Sequence, residues 1–541
     1  MMKKGLLSLL LVAALMANCF AFPAAGLQFI QDLFAPDTNL SVSSKITPFS
    51  QMEYRRPDLD KLRTLLDKVR EAANGNDPWK IMNCVNDFYD AQDWFYTYSS
   101  LAQINYCLDL TNPYWQEEND FCSTASAEVS QMSEALYAAL AASPSRSKLE
   151  RYFYGEGVLE SYGAETFWDG EMLALMERES DLINQYYAQS GEAGSSLLTL
   201  LFPNHRKTAQ ILVELIQVRN EIAAHAGYDS YPAFASDHYF YRDYTLDQLN
   251  GYLEEIRTEL APIYHQVWKK TDLPRVTSQE TLDYVSSAAE RMGGTVQQAV
   301  QLMLEAQLYD ITPRSNKYNT SFELYLISYG EPFLFINPQQ TAADQLFLAH
   351  EFGHFCNDYA TEGYVPGVDV CEFFSQGMEY LTLHYSPANR ELTSFKLQDS
   401  LATYVDQARF AQFEQEMYQI APEQLIVDAL CELYASVSQE YGYDPSDFGR
   451  YDFVSIEHFY TSPMYIPSYI LSNDAALQLY QLECENPGEG LRCYEENLTL
   501  EEAYLLAFLE EAGLESPFTP GRIGKVAEFF RQEFPAQSAA A

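Results

Sequence analysis

Basic residues are scarce in this chain: 33 Lys and Arg stand against 77 Asp and Glu, a formal net charge of −44. Such a chain repels a polyanionic backbone, which excludes nucleic acid as a natural partner. Histidine is rarer still, with 8 in 541 residues, so any closely spaced pair carries information. After the first 25 residues no stretch reaches the ~18 uninterrupted apolar residues of a membrane span, and no stable span is expected there. No CxxC pair occurs, which removes the usual structural zinc site. Internal repeats are absent and alternating or β-branched runs are few, so the pattern reads as helical nearly throughout.

What is abundant is apolar and aromatic. Hydrophobic residues make up 47% of the chain, with 40 Tyr and 32 Phe, far too much for a disordered acidic polymer. The chain is a folded globular protein with an acidic surface, long enough for two to four domains. At its start, Lys3 and Lys4 precede an apolar run from Leu6 to Met16, and Cys19-Phe20-Ala21 offers a cleavage site. This predicts a secretory signal over 1–25 and an exported protein, secreted or in the cell envelope. A lipid anchor at Cys19 is the weaker alternative, because Asn18 sits where a lipobox requires a small residue. Eight cysteines remain after the signal, an even number that permits disulfides without fixing their pairing; buried free thiols are the alternative. The one linker-like run, Gly191-Glu192-Ala193-Gly194-Ser195-Ser196, suggests an N-terminal helical region over 26–195 and a catalytic region over 196–535, with a frayed tail at 536–541.

Within that frame, Pro57 opens a helix bearing Leu59, Leu62, Leu65, Leu66 and Val69, closed by Asn74-Gly75. Thr245 with Gln248, and Thr295 with Gln298, read as capping boxes for helices over Thr245–Thr271 and Thr295–Leu308. Pro332 to Asn337 is the clearest strand. Thr341 and Asp344 then start a helix containing His350-Glu351-Phe352-Gly353-His354. One helical turn apart, His350 and His354 reach a single ion from one face, with Glu351 beside it as a base. Chance places His-Glu-x-x-His about 0.02 times in a chain of this composition. A catalytic zinc needs a third ligand, and a second helix carries Glu372, Ser375, Gln376 and Glu379 as a polar stripe. Glu372 is the expected ligand, while Glu379 fits a solvated face as well as a function.

These residues resemble a family. Tyr329-Gly330-Glu331 with the strand Pro332–Asn337, Asp344, Leu348 to His354, and Cys371-Glu372 through Ser375-Gln376 to Glu379 are similar to zinc oligopeptidases of the thimet oligopeptidase and oligoendopeptidase F type. The second branch is closer. The likeness extends to Arg219-Asn220-Glu221-Ile222-Ala223, to Gly227-Tyr228-Asp229-Ser230-Tyr231 and to Tyr54-Arg55-Arg56-Pro57-Asp58. It implies a mostly α, two-lobed metallopeptidase with a deep substrate channel and a small β element beside the zinc helix. One Zn2+ would be held by His350, His354 and Glu372. The strand would line the cleft and pair with substrate, with Phe333 and Phe335 as substrate contacts. The resemblance also implies that His458 with Tyr465 or Tyr469 faces the metal, where a protonatable imidazole and phenol hydroxyls suit the oxyanion of a tetrahedral intermediate. Short peptides would be cleaved internally. A related helical carboxypeptidase or dipeptidyl carboxypeptidase, or a non-catalytic peptide binder that keeps a zinc site, are the alternatives.

Overall fold

A computed structural model describes residues 46–159, 170–191 and 205–535, apart from positions 270, 365, 388, 501 and 503. The expected signal with Cys19, the linker-like run after Gly191 and the terminal tail lie outside the described residues.

Three helices open the chain, each started by a side chain that takes up first-turn N–H groups. Asp58 accepts from Lys61 N at 3.0 Å to begin α1 (Leu59–Ala73), so Pro57 precedes the cap instead of sitting in the first turn. Asp77-Pro78 begins α2 (Pro78–Leu108) and Asn112-Pro113 begins α3 (Pro113–Ala141). Proline fits in both because its missing N–H would have no helical partner there. Their apolar faces meet in a core of Leu62, Leu66, Val69, Ile81, Val85, Phe88, Val129 and Leu136, where each fully buried aliphatic side chain contributes about 1.5–3 kcal/mol. The 31 residues of α2 span roughly 46 Å. Its first half packs in this smaller core, whereas Leu101, Ile104 and Cys107 belong to a larger one running to Phe530. The larger core also takes in α4 (Gly170–Gly191) and α5 (His205–His225).

The Thr245–Gln248 capping box forms as expected. Its helix passes through a widened turn at Ile256–Leu260, just before Pro262, and ends at Val267 and not Thr271; proline cannot supply the next ladder bond. Thr295 is not a cap. The box that forms is Thr277 with Glu280, heading α6 (Ser278–Met292), while the start of α7 (Gly294–Glu305) is closed by Glu495, which accepts from the N–H groups of Thr295 and Val296 at 3.0 Å.

A three-stranded sheet follows: β1 (Tyr309–Asp310), β2 (Ser321–Leu326) and β3 (Glu331–Ile336), in the order β1-β3-β2. The strand expected at the cleft is therefore the central one, parallel to β1 at Leu334 and Phe335 and antiparallel to β2 along its length. All six of its residues are buried, which explains an apolar run without alternation. Beyond it come α8 (Ala343–Thr361), α9 (Val368–Tyr385), α10 (Arg390–Met417) and α11 (Ile466–Glu485), with α8 packed on β2 and β3. The architecture is mostly helical and two-lobed, with its small sheet beside α8, as expected. Among the described residues no disulfide joins the eight cysteines, and no helix is long and apolar enough to cross a membrane.

Candidate metal centre

Helix α8 begins where Asp344 accepts from the N–H groups of Gln339 and Thr341 at 3.0 and 2.9 Å. Nearly two turns further, His350 and His354 present their rings edge to face, with centroids 5.1 Å apart. The third group comes from α9, and it arrives because Gly353 has no side chain. A Cβ at position 353 would stand 2.4 Å from Phe374 O and 2.6 Å from Ser375 Cα, inside any tolerable contact, so glycine lets the two backbones touch. This unassigned position within the His-Glu-x-x-His motif decides whether Glu372 can reach the histidines. One ligand atom each from His350, His354 and Glu372 lie within 4.8 Å of one another.

The surrounding groups prepare these three for a cation. Glu379 is not solvated: it is buried and its Oε1 lies 2.9 Å from His350 Nδ1, leaving Nε2 for the centre. Its other oxygen takes a hydrogen bond from the buried Lys396 at 2.9 Å. Glu372 is held from both sides, by Tyr465 OH on Oε1 at 2.9 Å and Ser375 Oγ on Oε2 at 3.0 Å. Glu351 is 1% exposed, and the Ser321 hydroxyl is the one side-chain donor that acts on its carboxylate. Burial pushes its pKa up to about 7, against the pull of His350. Burial opposes a charge on His350 as well, but the Glu379 hydrogen bond and the carboxylates of Glu372 and Glu351 outweigh it and raise its pKa to about 9. Three buried carboxylates around one imidazole leave the pocket short of positive charge, which a proton on His350 relieves in part and a divalent cation would relieve fully. His354 titrates well below the usual histidine range because it is buried beside His350, and a neutral imidazole is the ligating form. Two nitrogens and a carboxylate oxygen form the donor set of a catalytic zinc site.

His458, Tyr465 and Tyr469 gather at the same place. Their ring centroids lie 5.1 to 5.6 Å apart, and His458 Nε2 is 3.2 Å from Tyr469 OH. Two details differ from expectation. Burial pulls the His458 pKa down to about 4, so near neutral pH it offers an N–H from a neutral ring and no imidazolium. The hydroxyl of Tyr465 is engaged by Glu372, which makes this tyrosine a brace for the metal-site carboxylate.

Phe333 and Phe335 do not reach the centre. Both are fully buried: Phe333 packs on Phe49 at 4.1 Å between centroids, and Phe335 stacks on Phe322 at 4.5 Å with the Lys317 ammonium over its ring. Helix α8 packs on the sheet and the rings of Phe49 and Phe322 close over these two side chains, so neither is open to a substrate. Sequence reading also missed Lys396. Its only signal was a charged residue on an otherwise apolar face of α10, where Leu392, Leu397 and Leu401 are buried.

Comparison with known proteins gives the family and the fold. Two family patterns match the chain, the peptidase M3 N-terminal domain over residues 49–160 and peptidase family M3 over residues 295–500. No curated protein matches. Among solved structures, one of PZ peptidase A with an inhibitor superposes with a TM-score of 0.77 at 19% identity, covering 91% of this chain and all of that one. A Bacillus anthracis protein assigned as an oligoendopeptidase F gives 0.74 at 19% identity, covering 90% and 98%. The oligoendopeptidase-F of Enterococcus faecium gives 0.57 at 15%, covering 88% and 97%. At such identities these likenesses speak for the fold. The family patterns, by contrast, take in the smaller lobe and the whole segment from His350 to Glu379, and on that ground the chain belongs to peptidase family M3, a family of metallopeptidases.

Proposed function

We propose that the protein is an exported zinc oligoendopeptidase that hydrolyses internal bonds of short peptides, with His350, His354 and Glu372 as the zinc ligands. Zinc, when bound, would polarise the scissile carbonyl and lower the pKa of the attacking water. The chain's own residues do the rest. Glu351 takes the water's proton on a carboxylate oxygen and returns it to the departing amine. Tyr469 and the neutral His458 donate to the carbonyl oxygen as negative charge develops there, and Tyr465 and Ser375 hold Glu372 in its ligating orientation. Export rests on Lys3, Lys4 and the Leu6–Met16 run, and N-terminal sequencing of exported protein checks it: an intact Met1 would defeat it. Under this reading residues 26–195 serve as the N-terminal helical region and 196–535 as the catalytic region.

The observation that carries the proposal is Glu351, a buried carboxylate that stands beside the ligand set without being part of it. A zinc-keeping binder would have no use for it. Glu351→Gln is expected to keep stoichiometric zinc and an unchanged melting temperature while losing turnover of a peptide library read by mass. Activity within a fewfold of the parent sinks the mechanism. Loss of zinc would instead make Glu351 a ligand. Cleavage confined to peptide ends would replace the endopeptidase by a carboxypeptidase or dipeptidyl carboxypeptidase.

A further inference from the structure

The arch from His458 to Tyr469 joins a four-residue helix, His458–Thr461, to the start of α11, and its backbone is gripped at four points by buried ionic side chains from other elements. Arg219 of α5 is fully buried and reaches two consecutive carbonyls, with Nη1 at 2.6 Å from Phe459 O and Nη2 on Tyr460 O. Its Nε meets Glu179 at 2.6 Å and Nη1 also reaches Tyr418 OH at 3.3 Å, which keeps the guanidinium plane fixed. At the crown of the arch, Met464 stands at φ +67°, a left-handed conformation that non-glycine residues rarely adopt. Both polar groups of Met464 are taken: Glu414 of α10 accepts from its N–H at 2.9 Å and Arg242 donates to its carbonyl at 2.8 Å. The same Arg242 nitrogen lies 3.1 Å from Ser468 Oγ, one residue before Tyr469. Two guanidiniums and a carboxylate from three separate segments thus meet an arch of twelve residues, and they touch its backbone between His458 and the two tyrosines.

A structural role in the core would be served more cheaply by apolar packing, since buried charges cost desolvation that hydrophobic residues avoid. What charged groups add is direction. A bidentate guanidinium sets the orientation of the peptide planes it holds, and the strain at Met464 persists only because the surroundings over-determine it. We propose that Arg219, Arg242 and Glu414 are positioning residues that lock the arch in one conformation, so that His458 and Tyr469 stand ready as donors without first folding over the substrate. This rests on the peptidase reading above; none of the three touches substrate or metal.

The test pairs catalysis with a measurement that needs none. Arg242→Lys keeps the charge but replaces the rigid planar guanidinium by a flexible ammonium that no longer fixes direction at Met464 O and Ser468 Oγ, and Arg219→Lys loses the paired grip on 459 and 460. Each is expected to keep zinc and to lower kcat about 10- to 100-fold with KM within twofold, the size of effect a ~1 Å misplacement produces. In a background that carries both His458→Ala and Tyr469→Phe the same Arg242→Lys change should cost less than twofold, because its effect passes through groups already lost. Amide hydrogen exchange of the zinc-free proteins should show faster exchange at 459–468 in the lysine variants and parent-like protection in α8. Faster exchange with unchanged kcat, or equal losses in both backgrounds, overturns the proposal. So does parent-like exchange across the arch. A parent without zinc-dependent turnover fails the peptidase reading and, with it, the role given to the arch, whereas the exchange result still reports whether the clamp exists.

Discussion

At the residue scale, the centre separates groups that touch the chemistry from groups that aim them, and two tyrosines one turn apart make the distinction measurable. Tyr465 gives its hydroxyl to Glu372 and Tyr469 approaches His458. Tyr465→Phe should therefore weaken zinc binding by roughly 10- to 100-fold, as loss of a ligand's hydrogen-bond partner does elsewhere. Tyr469→Phe should leave zinc in place and lower kcat by about 100-fold with little change in KM. Zinc titration and steady-state kinetics on both variants check this, and identical behaviour of the two would erase the distinction. His458 adds a pH effect. Burial lowers its folded pKa to about 4, so the unfolded chain binds that proton more readily, and the associated stability is whole above about 6.5 and declines as pH falls toward 4. Between pH 7.5 and pH 5 the parent should lose more melting temperature than His458→Gln; parallel curves would count against a buried neutral imidazole. His350, Glu351 and His354 were legible in the sequence because helix spacing alone places them. Glu379 and Lys396 were not, because their meaning depends on which helix faces which.

At the scale of elements, what the sequence showed was where helices begin; what it hid was which side chain would do the capping. Asp77-Pro78 and Asn112-Pro113 carry their signal locally. The start of α7 borrows Glu495 from 200 positions away, and no local pattern encodes that. The strand was expected over Pro332–Asn337 from its apolar run and stands at Glu331–Ile336, but such a run says nothing about neighbours, so its central place emerged only from the sheet order and the burial of Phe333 and Phe335 only from what packs on them. Gly353 is the element-scale counterpart of the ligands: it sets the distance between α8 and α9. Gly353→Ala should force the helices apart, destabilising the protein by about 1–3 kcal/mol and reducing zinc retention through dialysis. Thermal unfolding with metal analysis decides, and an alanine variant with parent-like stability and full zinc would show that the contact can yield.

At the scale of the whole molecule, composition foretold an acidic, aromatic-rich, helical protein and could say nothing about how its cysteines were used. No disulfide joins the eight described cysteines, so stability rests on packing, and a reductant should leave the melting temperature unchanged within about 1 °C; a marked drop would reveal a disulfide. Two separate apolar cores would by themselves melt in two steps. Helix α2 argues otherwise, because it is a continuous beam with one end built into each core. Loss of either core removes the tertiary support of half of α2, and long helices hold in water mainly through such support. Mechanically, the beam makes each lobe a creditor of the other: heat or force applied to one is felt in its neighbour, so calorimetry should record a single transition whose calorimetric and van't Hoff enthalpies agree. Interrupting the beam near Ser99-Ser100 with a proline should split that transition in two, turning one cooperative body into a pair of separately melting ones.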